Sequence, residues 1–136
     1  MSERNKAIVR RFFEEIWNDG NLEIANEIID NGYRQTDLTT GHQRIVGPPI
    51  LQHEVEAYRS VTDDLHFEVE ELIAEGNKVV AQWVATATLK DDDSSPLGST
   101  RGVTINHIRD GKIADIQLYS EGFTTNTAWL PEVTLS

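Results

Sequence analysis

The sequence contains no cysteine, and this absence removes several kinds of chemistry from consideration. Disulfide bonds, thiolate nucleophiles and cysteine-ligated zinc are all excluded. Histidine is scarce as well, and no pair of histidines has the spacing of a helical metal site. The sequence therefore gives a metal enzyme no support. The four histidines are His42, His53, His66 and His107.

Long apolar segments are also missing. No apolar run approaches the ~20 residues that a membrane-spanning helix needs. The first residues, MSERNKAIVRR, lack the apolar region of a signal peptide. We therefore expect a cytoplasmic protein that does not associate with membranes.

Positive charge is in short supply, since 12 lysine and arginine residues face 23 aspartate and glutamate residues and the net charge is -11. Such a surface repels a phosphate backbone, so we expect no nucleic-acid partner and attribute the charge to solubility. The 136 residues fit one domain, 1–136, in which residues 123–136 form a C-terminal tail.

Helical periodicity dominates the first half of the sequence. Apolar residues repeat at i, i+4 from Asn5 to Asn18, and a second helix is expected after Asn21 that ends at Asn31-Gly32. A short extended segment, Tyr33 to Asp37, and a polar loop follow. Gly47-Pro48-Pro49 predicts the start of a third helix, since proline suits the first helical turn.

The apolar period changes to that of strands after Asp63-Asp64. His66 to Glu75 and Lys78 to Leu89 form one predicted hairpin, and Val103 to Arg109 with Lys112 to Phe123 form another. Helices followed by a meander of antiparallel strands indicate α+β architecture. The apolar space between helices and sheet can then become a pocket.

Three stretches resemble the SnoaL-like polyketide cyclases, which belong to the ketosteroid-isomerase-like, or nuclear-transport-factor-2-like, superfamily. The stretches are NKAIVRRFFEEIWNDGNLEIANEII, GPPILQHEVEAYRSVTDDLHFEVEELIAEGNKVVAQW and RDGKIADIQLYSEGF. The resemblance implies three N-terminal helices packed on a strongly curved, mainly antiparallel sheet. This sheet would form a cone with a central pocket, and we expect the molecule to be a homodimer.

The resemblance also implies an activity. Characterised members close a ring in aromatic polyketides by an intramolecular aldol step, without a metal or organic cofactor, and an acidic residue on the last strand serves as acid and base. Glu121 stands at that position, where the compared cyclases carry aspartate. His107 is placed like a histidine that assists in some cyclases. Asp37 remains from a His-His-Asp motif of the family, and Gln117 replaces its tryptophan on the last strand.

The residues themselves leave the placement of these groups open. Glu121 belongs to an alternating row with Gln117 and Tyr119 that could face either solvent or a pocket. A carboxylate in an apolar pocket suits acid/base chemistry because desolvation raises its pKa. Asp37 is either a second acid/base group or a turn residue, and His107 is either a proton relay or a structural residue.

Aromatic and amide side chains could line a cavity for a flat, apolar ligand, or could simply form the core. The candidate substrate-binding residues are Trp17, Phe13, Gln35, Tyr58, Trp83, Gln117 and Tyr119.

Two kinds of function stay open. One is cofactor-independent acid/base catalysis on a small apolar carbonyl compound, as an aldol cyclisation or a related isomerisation or dehydration. The other is a non-catalytic module that binds a hydrophobic small molecule or serves dimerisation. A catalyst needs a carboxylate inside an enclosed pocket. A binding module predicts pocket polar groups that already satisfy one another, and a dimerisation module predicts a filled cavity.

Overall fold

The elements of the fold are seen in a computed structural model that describes residues 2–89 and 96–121. The tail predicted at 123–136 lies outside these residues. No helix in the described part of the chain has both the length and the apolar character to cross a membrane. The helices are α1 (Ser2–Arg11), which continues as a π-helix (Phe12–Asn18), α2 (Ile24–Ile28) and α3 (Gly47–Val61). The strands are β1 (Ile29–Asp37), β2 (Gln43–Ile45), β3 (Thr62–Glu75), β4 (Lys78–Leu89), β5 (Pro96–Arg109) and β6 (Lys112–Ser120).

The strands form one mixed sheet of six in the order β2-β1-β6-β5-β4-β3. Strands β3 to β6 are the predicted antiparallel meander, whereas β1 runs parallel to β6 and β2 runs antiparallel to β1. One apolar core joins the helices to one face of the sheet. The predicted α+β class is therefore confirmed.

The order of the elements corrects the expectation of three helices that all precede the sheet. Helix α2 ends at Ile28, and the chain enters β1 at once because Ile29 pairs with Ile113 of β6. Helix α3 therefore comes after β1 and β2. Strand β2 was not predicted, and β5 begins at Pro96 rather than at Val103. In these polar segments, pairing with neighbouring strands outweighs weak local strand propensity.

The packing of Trp83 in β4 requires glycine at the paired position in β5. Trp83 of β4 pairs with Gly102 of β5, and a Cβ at Gly102 would lie 2.2 Å from Cζ2 of the indole. The indole Nε1–H is buried and has no hydrogen-bond partner among the described residues, so packing holds the ring. Glycine at position 102 therefore leaves the space that the Trp83 ring occupies.

We predict that Gly102→Ala lowers the free energy of unfolding by about 1–3 kcal/mol, because the added methyl group displaces a buried ring. Urea unfolding followed by far-UV circular dichroism measures the change. Gly32→Ala is the matched control, since its nearest neighbour is the movable Oδ2 of Asp30 at 3.3 Å. Equal stability of Gly102→Ala and wild type would contradict this account of the Trp83 packing.

Candidate functional site

A cavity of about 430 Å³ lies between the helices and the inner face of the sheet. Ligand pockets in proteins usually measure about 300–1,000 Å³, so the space suits a small molecule. Its apolar lining consists of Phe12, Phe13, Trp17, Leu65, Phe67, Trp83, Ala85, Ile116 and Leu118. Its polar lining consists of Tyr33, Gln35, Arg44, Glu54, Tyr58, Thr100, Thr104 and Ser120.

Four rings, those of Phe13, Trp17, Phe67 and Trp83, form what we call the aromatic wall of the cavity. Phe67 is at its centre, with ring centroids 5.7 Å from Phe13, 5.1 Å from Trp17 and 5.2 Å from Trp83. The contacts are tilted or edge-to-face, which are the favoured arrangements of aromatic pairs. The wall is therefore a contiguous packed unit.

The polar end of the cavity is a chain of four hydrogen-bonded side chains. Nη2 of Arg44 binds the carboxylate of Glu54 at 2.5 Å and donates to Oε1 of Gln35 at 2.6 Å. Nε2 of Gln35 donates in turn to the hydroxyl of Tyr33 at 3.3 Å. Three elements meet here, since Tyr33 and Gln35 lie on β1, Arg44 on β2 and Glu54 on α3.

Burial shifts the proton affinity of these groups. Desolvation raises the pKa of Glu54 above its ordinary 4.5, and the nearby Arg44 guanidinium opposes this rise without cancelling it. Burial also raises the pKa of Tyr58, to which the charge of Glu54 adds, and that of Tyr33. The phenols stay protonated near neutral pH, whereas Glu54 is a weaker acid than an exposed glutamate.

Hydroxyl groups line the sheet side of the cavity. Oγ1 of Thr100 and Oγ of Ser120 lie 3.4 Å apart, and Oγ1 of Thr104 accepts from the Asn106 amide at 3.2 Å. These groups belong to β5 and β6. They give the otherwise apolar sheet wall a capacity to bind an oxygen substituent.

Five of the candidate substrate-binding residues line this cavity, namely Phe13, Trp17, Gln35, Tyr58 and Trp83. Gln117 and Tyr119 do not, because the row of β6 that faces the cavity is Ile116, Leu118 and Ser120. A register shift between β5 and β6 lies just before this row. The apolar row of β6 is thus the inner one, as in antiparallel sheets with one solvated face.

The three residues predicted to be catalytic lie outside the cavity lining, which corrects their placement in the pocket. Glu121 is exposed at the end of β6, where Oε1 accepts from the backbone N–H of Arg101 at 3.1 Å. Asp37 is exposed too, and Oδ1 accepts from the N–H of Thr39 at 2.8 Å, as in a turn.

His107 is half-buried on the outer face of the sheet, opposite Asp115. A two-residue turn at Asp110-Gly111 would place Ala114 opposite His107, and a three-residue bulged loop would place Ile113 there. The difference arises because Ile108 pairs with Ile113, so the register shifts by one residue at Ala114.

The carboxylate that does reach the cavity, Glu54, was missed by the sequence reasoning. A signal was present, since Leu51, Glu54, Val55 and Tyr58 fall at i, i+3, i+4 and i+7 on one face of α3. A charged residue on an otherwise apolar stripe indicates a buried ionisable group that needs a partner. The partner, Arg44, lies in a segment that reads as a loop, so local pattern alone did not identify it.

The described residues contain no group of three or more histidine, aspartate or glutamate side chains that could hold a metal ion. The apolar lining of the cavity includes five aromatic rings, and an ion pair at its polar end joins the partly exposed Arg44 to the buried Glu54. Folds of this kind support many different reactions, so the fold and the cavity do not by themselves identify one.

Comparison with known proteins gives the family. The model of the SnoaL-like polyketide cyclase family matches residues 7–126, so the chain belongs to that family. No functionally curated protein is detectably similar to it.

Solved structures share the fold. A polyketide cyclase candidate from Acidithiobacillus ferrooxidans is 23% identical with a TM-score of 0.72, over 87% of this chain and 88% of that chain. One from Bacillus cereus is 24% identical with a TM-score of 0.70, over 87% and 74% of the two chains. A Catenulispora acidiphila protein with a ketosteroid isomerase-like fold, in complex with trimethylamine, is 16% identical with a TM-score of 0.68, over 82% and 83%.

We predict that the pKa of Glu54 makes the stability of the protein depend on pH in a defined direction. Because the pKa is higher in the folded than in the unfolded state, the folded state binds the proton more tightly. The wild type should therefore lose stability relative to Glu54→Gln as pH rises through the window above 4.5. Urea unfolding of both proteins across this window gives the difference, in which the other titrating groups cancel. A difference that is independent of pH, or that changes in the opposite direction, would contradict the raised pKa.

Proposed function

We propose that this protein binds a small apolar carbonyl compound in the cavity and catalyses cofactor-independent acid/base chemistry on it. The reaction class is an intramolecular aldol cyclisation or a related isomerisation or dehydration. In this proposal Glu54 takes the role that the family resemblance gives to Glu121. The sheet would curve around the cavity as a cone, as the resemblance implies.

The observation that carries this proposal is an ionisable carboxylate that lines an apolar cavity. The side chain of Glu54 is 7% exposed, and burial raises its pKa. A base works best when its pKa lies near the operating pH, so this shift favours proton abstraction next to a carbonyl. The ion pair with Arg44 also fixes the direction of the carboxylate, which limits the geometries that a substrate must find.

An aldol step through these groups balances without a co-reactant. The carboxylate of Glu54 removes a proton from the carbon next to a ketone, and the hydroxyl of Tyr58 donates a hydrogen bond to the enolate oxygen. The enolate carbon then forms a bond to a second carbonyl carbon of the same molecule. The oxygen of that carbonyl takes the proton back from Glu54, so the product is an isomer of the substrate.

A non-catalytic binding function is the second candidate. It is favoured because the polar groups of the cavity satisfy one another. Arg44 donates hydrogen bonds to Glu54 and to Gln35, and Gln35 donates to Tyr33. Such a chain resists reorganisation and would orient a ligand without reacting with it.

We predict that the wild type accelerates exchange of the α-protons of 2-acetylnaphthalene in D2O, as measured by proton NMR. This ketone is a probe of base chemistry and requires no knowledge of the natural substrate. Glu54→Gln should slow the exchange by about 100-fold or more, because the variant has no base. Glu56→Gln, at an exposed position of the same helix, and Glu121→Gln should leave the rate unchanged.

The outcomes separate the two candidates. Exchange that is lost in Glu121→Gln but kept in Glu54→Gln would overturn the assignment of the base. Binding of the ketone without exchange above that of buffer would favour the binding module. If the ketone does not bind, as judged by tryptophan fluorescence, the cavity does not have the proposed ligand class.

A homodimer through the outer face of the sheet is part of the proposal. Val103 and Tyr119 pair across β5 and β6 and are 37% and 53% exposed, while Ile73 of β3 is 57% exposed. Apolar groups on a sheet face that is otherwise solvated are typical of an interaction surface.

We predict that Val103→Lys converts a wild-type dimer to a monomer, because a charge in an apolar interface is costly to bury. Sedimentation equilibrium measures the mass. Leu38→Lys is the control, since Leu38 is 47% exposed and does not belong to this face. A wild type that is monomeric at all concentrations, or a Val103→Lys variant that remains dimeric, would contradict the proposed interface.

A further inference from the structure

The π-helical segment that carries two rings of the aromatic wall ends in an unusual set of contacts. The backbone N–H of Asp19 donates to the carbonyl of Glu14, five residues earlier, at 3.1 Å. Such segments are rare and frequently occur at functional sites. The carbonyl groups at the end of a helix need partners from outside it.

Arg59 of α3 supplies those partners. Its Nη1 donates to the carbonyl oxygen of Trp17 and to that of Asn18, both at 2.8 Å. The chain leaves room for the guanidinium at Gly20, where φ is +70° and a Cβ would lie 2.8 Å from Nε of Arg59. Helix α3 thus binds the backbone at the end of the π-helical segment, at Trp17 and Asn18.

Asn18 joins the same segment to β3. Its Nδ2 donates to the carbonyl oxygen of Phe67 at 2.8 Å, and its Oδ1 accepts from the N–H of Phe67 at 2.7 Å. Both polar ends of one amide therefore bind the backbone of the residue at the centre of the aromatic wall. Because Trp17 precedes Asn18, the two hydrogen bonds fix the rings of Trp17 and Phe67 relative to each other.

We infer that Asn18 and Arg59 are positioning residues that determine which ligands the cavity accepts, an inference that rests on the proposed binding of a carbonyl compound there. Neither residue lines the cavity. They act by holding the rings of the aromatic wall in one fixed arrangement. A planar ring system can keep favourable contacts with these rings, whereas a flexible chain loses conformational entropy when it is ordered.

Two methyl ketones with twelve carbons each test this inference, the planar 2-acetylnaphthalene and the flexible 2-dodecanone. Their dissociation constants are measured by tryptophan fluorescence. The wild type should prefer the planar ketone. Asn18→Ala should weaken the binding of the planar ketone by about fivefold or more and change that of the flexible ketone much less, so that the selectivity falls. Asn26→Ala, at an exposed position of α2, is the matched control.

The selectivity ratio separates positioning from general stability. A folded Asn18→Ala variant with unchanged selectivity would overturn the inference, and so would a wild type that prefers the flexible ketone. If Asn18→Ala does not fold, Arg59→Lys, which keeps the charge but not the forked geometry, is judged by the same ratio.

A second readout needs no ligand. The near-UV circular dichroism of the wild type should contain a contribution from the rings of Trp17 and Phe67, whose centroids lie 5.1 Å apart. This contribution should fall in Asn18→Ala while the far-UV spectrum stays unchanged. If neither ketone binds the wild type, the proposed function fails. The near-UV spectrum alone then decides whether Asn18 positions the rings, and an unchanged spectrum overturns that role.

Discussion

An ionised carboxylate can lie in a cavity lined by aromatic rings only if a partner compensates its charge, and in this protein that partner is Arg44. Removing one member of a buried ion pair leaves an uncompensated charge, so the two residues depend on each other. Arg44 reaches Glu54 from a strand of three residues, β2, which is held by pairing with β1. Strand β1 in turn is held by its parallel pairing with β6. The sheet order therefore supports the polar end of the cavity.

The aromatic wall is held by packing of its rings and by hydrogen bonds to the backbone that carries them. The rings of Phe13, Phe67 and Trp83 pack on one another, and Gly102 provides the space in which Trp83 lies. Asn18 donates a hydrogen bond to the backbone of Phe67, and Arg59 donates one to the backbone of Trp17. These bonds hold the segments that carry the rings. The cavity thus has a polar end, where Arg44 orients the carboxylate of Glu54, and an aromatic wall. The arrangement of this wall is fixed by Asn18 and Arg59, which do not line the cavity. In the proposed function, both features suit a small carbonyl compound with an apolar body.

Much of the fold could be predicted from the sequence, because the apolar residues of α1, α3 and the β3–β6 meander repeat with the period of a helix or of a strand. Four of the five correctly predicted cavity residues are large aromatic side chains, and the fifth, Gln35, lies in the extended segment predicted at Tyr33 to Asp37. Strand β2 and the early start of β1 could not be predicted, since they are polar and exist only through pairing with partners distant in the chain. The contact of Arg44 with Glu54 could not be predicted either, because Arg44 lies on β2. The pocket position that the family resemblance implies for Glu121 is wrong, because β6 alternates regularly and its apolar row, with Ile116 and Leu118, faces the cavity.

In the proposed function the ligand binds in the cavity beside Glu54 and not at the end of strand β6 beside Glu121. Intermolecular nuclear Overhauser effects between 2-acetylnaphthalene and the ¹³C-labelled protein test this most directly. The account predicts contacts from the naphthalene ring to Trp17 and Phe67, and contacts from the methyl ketone to the side chains of Glu54 and Tyr58. Contacts confined to Glu121 and Arg101, with none to the aromatic wall, would contradict it.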